Sequence, residues 1–173
     1  MAETLVRPVI STVMLGGKMK KILFITLIIL FSVFCSCNMN VARHNYLDAA
    51  DVAKEYIEKL FVLNDYTTAY DMMADEFKEK VNQDQLKKLS IETHDNNFPK
   101  EFEINEFETY SGQEFISIFV ITKNYSPQLY YRVALLGTSK KGYVIGGFHV
   151  ASKPIPAEGN RYPIEPVIQF GGA

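Results

Sequence analysis

The chain has no tryptophan and only two cysteines, Cys35 and Cys37, one residue apart. A disulfide across a single residue is strained, because the Cα atoms must meet a narrow distance window. A zinc pair is equally poor, since no second Cys pair follows at ligand spacing. Two buried thiols remain open as a reading. Gly-rich phosphate loops, Ser-His-Asp patterns and calcium loops are all missing, and no cofactor or metal is expected. Charge of one sign is also scarce, with a formal net charge of -2. Residues 1–36 carry +3 from Arg7, Lys18, Lys20 and Lys21 against Glu3, which leaves -5 on the rest. An acidic body argues against nucleic acid as a partner, because phosphate binding needs clustered Lys and Arg.

What is present points to a small folded protein. The length of 173 residues suits one domain. Hydrophobic residues at 47% and charged residues at 22% exclude wholesale disorder. Aromatics reach 13%, all Phe and Tyr, which favours a sheet with a packed face.

The N-terminal region reads as an address. Met19, Lys20 and Lys21 form a basic start, and Ile22 to Phe34 follow without a charge. A spanning helix needs about 20 apolar residues and a signal peptide roughly 7 to 15, so length favours the latter. An uncleaved anchor helix is the alternative. The run closes on Phe34-Cys35-Ser36-Cys37. This resembles the lipobox of bacterial lipoproteins, with Ser36 small before Cys37 and Phe34 where that family usually has Leu. The resemblance implies lipidation at Cys37, a membrane partner through that anchor, and a place in the bacterial cell envelope. Asn38 is not the Asp that signals inner-membrane retention in enterobacterial lipoproteins, so the outer membrane is open for a Gram-negative host. Residues 1–18 read as a non-native upstream extension, 19–36 as the signal peptide and 37–45 as a tether.

Residues 46–151 then read as one α+β domain. Ala49, Val52, Ala53, Tyr56, Ile57, Leu60 and Phe61 recur at helical spacing, while Lys54, Glu55, Glu58 and Lys59 lie off that stripe. Asn45 is a candidate cap, and Asn64-Asp65 ends this long helix. A second helix runs from about Thr67, with Ala69, Tyr70, Met73 and Phe77 on one face. Asn82 and Gln85 form a capping-box pattern for a third, which His94-Asp95-Asn96-Asn97 and Pro99 stop. From Phe98 the period changes to two. Strands are expected over 102–110, 115–122, 129–136 and 143–151, the second apolar on both faces and therefore central. Gly146-Gly147 reads as a bulge within the fourth. The Pro- and Gly-rich tail, 152–173, is expected to be irregular.

Helices followed by a four-stranded antiparallel meander resemble the cystatin-like or nuclear-transport-factor-2-like superfamily. The residues carrying that likeness are the helix from Ala50 to Leu63, the link Asn64-Asp65-Tyr66-Thr67-Thr68-Ala69-Tyr70, and the helix from Asn82 to Leu89. The resemblance implies a curved sheet wrapped round the long helix, with a conical pocket used for catalysis in some relatives and for binding in others.

Four residues are speculative ligand-binding candidates: His149, Arg132, Tyr130 and Tyr143. Strict alternation puts His149 on one face with Tyr143, Ile145 and Gly147. Arg132 shares a face with Tyr130 and Ala134, and must meet either solvent or an acid. Glu106 and Glu108 fall on the first strand, where charges usually face water, and His44 and His94 lie in polar, solvated stretches. No catalytic residue is assigned. Three functions compete: a non-catalytic envelope lipoprotein binding a protein or small ligand; an isomerase or cyclase pairing His149 with a Tyr in one cavity; and a structural or immunity-like interaction protein.

Overall fold

A computed structural model describes residues 43–94 and 97–172. The extension, the leader and Cys37, with the tether as far as residue 42, lie outside those residues. Among the described residues no helix is long and apolar enough to cross a membrane.

The expected long helix is α1, Tyr46–Ile57, continued by a π-helical turn, Glu58–Val62. The Asn45 side chain caps it by accepting from the Leu47 N–H at 3.1 Å. Ala49, Ala50 and Ala53 are fully buried, and their small side chains bring the helix close to the sheet. The π turn is closed by Leu63 N–H donating to the Glu58 carbonyl at 2.9 Å. Asn64 then turns the chain with φ of 53°. Asp65 caps α2, Tyr66–Asp71, by accepting from the Thr68 N–H. Hydrogen bonds from Thr68, its side chain first and then this backbone N–H, lower the Asp65 carboxyl pKa below its usual value against desolvation, and the Lys59 ammonium adds to the lowering. A short α3, Asp75–Lys78, precedes α4, Gln83–His94. The expected capping box opens α4: Gln85 N–H donates to Asn82 Oδ1 and Asn82 N–H to Gln85 Oε1, both at 2.9 Å.

The sheet has five antiparallel strands in the order β4-β3-β2-β1-β5. They are β1 Glu101–Thr109, β2 Phe115–Lys123, β3 Tyr130–Thr138, β4 Gly142–Ala151 and β5 Asn160–Gly171. The doubly apolar β2 is central, as its composition predicts. The fifth strand corrects the four-stranded expectation and the irregular tail. Phe170, Ile168 and Tyr162 of the tail pair with Phe102, Ile104 and Phe107 of β1. The prolines that argue against a strand there sit on an outside edge, where the missing N–H costs no ladder bond and discourages further pairing. At the other edge, Met72–Ala74 covers part of β4: Ile145 N–H donates to the Met72 carbonyl at 3.0 Å, and Ala74 N–H to the Ile145 carbonyl at 2.8 Å.

One face of the sheet packs on α1. Phe61 is the hub, with ring centroids 5.6 Å from Tyr131, 5.7 Å from Phe148, and 6.4 Å from both Phe98 and Phe102. Burying each such ring contributes roughly 1.5–3 kcal/mol. Tyr56 meets Phe148 edge-on at 5.8 Å, and burial raises the pKa of both the Tyr56 and Tyr131 hydroxyls.

Candidate functional site

The two strand bulges decide which side chains share a face. β3 and β4 slip register between Ala134 and Leu135, so Gly146 is the extra residue. A Cβ on Gly146 would lie 2.6 Å from Leu136 Cγ, so the bulge needs a residue without one. The extra residue reverses the alternation. Ile145 packs inward opposite Leu135, and Phe148 packs inward opposite Val133. His149 therefore points away from α1, exposed and beside Arg132. The expected grouping of His149 with Tyr143 and Ile145 is overturned by the bulge between them.

The structure brings three of the four candidates to the outer face and separates the fourth. Arg132, Tyr130 and His149 are outer-face neighbours. The Arg132 guanidinium reaches the Glu158 carboxylate at 2.7 Å, and the Tyr130 hydroxyl donates to Gln128 Oε1 at 3.1 Å. Tyr143 instead lies at the start of α1, where its hydroxyl accepts from the Asn45 N–H at 2.9 Å. Desolvation, with Asp48 adding to it, raises the Tyr143 hydroxyl pKa. His44 is half-buried rather than solvated, its Nε2 3.0 Å from the Gln113 carbonyl oxygen.

The densest polar cluster was hidden from the sequence. β1 alternates Phe102 and Ile104 inward with acids outward, and the Asn105 bulge keeps Glu106 and Glu108 on the outer face. Residues 152–159 cross that face as a strap, with Ile155 buried against the sheet. Glu108 is consequently 0% exposed, against the expectation that it meets water. Its carboxylate accepts from Glu158 N–H at 2.6 Å and from Gly159 N–H, and Arg161 stands 3.5 Å away. A Cβ on Gly159 would lie 2.6 Å from the Thr109 carbonyl oxygen, so only glycine lets the strap come this close. Arg161 also stacks 3.7 Å over the Phe119 ring and lies 3.5 Å from Glu106. Burial and the Glu108 carboxylate raise the Tyr110 hydroxyl pKa against an opposing bond to Ser117.

This cluster holds the strap down. The three carboxylates of Glu108, Glu106 and Glu158 are opposed by the two guanidiniums of Arg161 and Arg132, so most of the charge is paired within the cluster. The cavity beneath, about 70 Å³ between Asn105, Phe119, Tyr130, Ile155 and Arg161, has room for only a few atoms. A broader depression of about 620 Å³ opens at the end of the sheet where β2 turns into β3, lined by Glu103, Ile121, Thr122, Lys123, Tyr125 and Gln128 among others. Lys123 pairs there with Glu103 at 3.3 Å, and the Tyr125 hydroxyl donates to the Asn97 carbonyl at 2.7 Å.

No protein family, curated protein or solved structure matches the chain. The sequence holds one signal for Glu108 and Arg161. A central strand apolar on both faces implies that the outer face is covered, and acids on the adjoining strand then need a basic partner. Arg161 is one of only four arginines.

Proposed function

We propose that the protein is an envelope lipoprotein, anchored through Cys37, whose domain is a non-catalytic binding module of the cystatin-like or nuclear-transport-factor-2-like cone class. The observation that carries the binding reading is the state of the sheet face that packs on α1. Phe61, Phe98, Phe102, Tyr131 and Phe148 fill the space under the sheet with rings. A filled interior leaves recognition to the surface, and the open depression around Lys123 and Tyr125 combines an aromatic, a charge pair and amides, as a partner-binding surface does. The isomerase reading needs His149 and a Tyr hydroxyl in one cavity, and the bulge at Gly146 gives it no support.

Two measurements test this reading. Mass spectrometry of the membrane-extracted protein should find a first residue Cys37 carrying acyl chains; retention of residues 22–34, or an unmodified Cys37, refutes the anchor. Capture from solubilised membranes should yield a partner that the wild type retains and Lys123→Glu loses. A partner held equally by both moves the binding surface elsewhere.

A further inference from the structure

We propose that the end of the sheet carrying the β1–β2 and β3–β4 turns lies against the membrane, where Arg43, Lys140 and Lys141 meet anionic phospholipid headgroups. The proposal rests on the reading of Cys37 as the lipid-bearing first residue. Six peptide steps separate Cys37 from Arg43. However the chain runs, that is a reach of about 20 Å.

Where the reach begins is fixed by hydrogen bonds. The Arg43 carbonyl accepts from Ser139 N–H at 3.1 Å and Ser139 Oγ at 3.0 Å. His44 Nε2 sits 3.0 Å from the Gln113 carbonyl oxygen, and Asn45 N–H donates to the Tyr143 hydroxyl at 2.9 Å. These contacts fasten the chain to the turn after β1 and the turn after β3. Because the strands are antiparallel, the depression around Lys123 is at the opposite end, roughly 26 Å away along β1. A lipid tied that closely to one end brings that end to the bilayer and presents the other outward.

The surface chemistry fits a headgroup layer. Arg43, Lys140 and Lys141 are exposed. Lys141 bridges Glu114 at 2.7 Å, whereas Arg43 and Lys140 have no ion pair among the described residues. Glu114 and Asp48 stand among the acids near that end. Leu47 at 49% and Tyr162 at 47% exposure add side chains suited to a membrane interface. The far end carries Lys100 and Lys153, so the tether, not charge, selects the end; the basic residues then hold it.

The full-length protein, processed and acylated in its host, tests this after reconstitution into vesicles bearing a headgroup-attached quencher. Fluorophores are placed at Gln113→Cys, near the turns, and at Lys100→Cys, at the far end. In phosphatidylglycerol-containing vesicles the label at 113 should be quenched severalfold more than the label at 100. Lys140→Glu with Lys141→Glu should reduce quenching at 113 in those vesicles and not in phosphatidylcholine alone. Equal quenching at both positions on a protein shown to carry acylated Cys37 overturns the orientation and leaves the anchor standing. Unchanged quenching in the double variant overturns the headgroup contact. An unacylated Cys37 overturns the anchor and this proposal together.

Discussion

The two faces of the sheet solve the same problem by opposite means. The inner face is closed by α1 and a cluster of rings around Phe61, with cohesion from area and dispersion. The outer face is closed by an eight-residue strap held on Glu108, Arg161, Arg132 and Glu158. Rings tolerate small displacements. A buried carboxylate does not, because a donor lost from it is not replaced by water. The outer face should therefore fail locally and abruptly, and the inner face globally.

The largest effect should come from Phe61→Ala, which removes the hub of the inner cluster and should cost about 3–5 kcal/mol in denaturant unfolding. A loss under about 1 kcal/mol would mean that the ring cluster is not the core. Next is Glu108→Gln, which keeps the shape but leaves Arg161 less compensated. It should cost about 2–3 kcal/mol and speed proteolysis after Lys153 in the strap. Global unfolding without faster strap cleavage would merge the two faces into one cooperative unit. Gly146→Ala forces a Cβ against Leu136 and should cost about 1–2 kcal/mol, with NMR shifts concentrated around Ala134, Leu136 and His149.

Tyr56 sharpens the comparison through pH. Its hydroxyl is buried with no partner among the described residues, and burial raises its pKa well above the ordinary tyrosine value of about 10. A raised folded pKa means the stabilisation is complete below pH 10 and is lost as pH rises through the folded value. Tyr56→Phe should thus leave stability at neutral pH unchanged or raise it by up to about 1 kcal/mol, and shift alkaline unfolding to higher pH. If the variant is instead destabilised at neutral pH, the hydroxyl has a partner. The smallest effect is expected from His149→Ala on the exposed outer surface, within about 0.5 kcal/mol by thermal unfolding. A loss of several times that size would return His149 to the interior.

Legibility followed the range of the interaction. The α1 stripe, the Asn82–Gln85 box and the central position of β2 were visible because each depends on residues close in sequence. The bulge is also visible in Gly146-Gly147, but which side chains it turns outward depends on the register with β3, so strict alternation places His149 on the wrong face. Local rules penalise Pro163 and Pro166 as strand residues, and nothing local reveals that β5 lies at an edge. Glu108 looked solvent-facing because the strap that buries it is some fifty residues further along.

By itself the sequence determined the starts of α1, α2 and α4, the caps at Asn45 and Asn82–Gln85, and four strands in their order, but not the break at Met73 that splits the expected second helix into α2 and α3. Those depend on periodicity and on side chains reaching backbone a few residues away. Only the tertiary structure decided which face each bulged strand presents, that the tail closes the sheet beside β1, and that Glu108 is buried. Each of these is a pairing between distant segments, and a strand's pattern states that it pairs without stating with what.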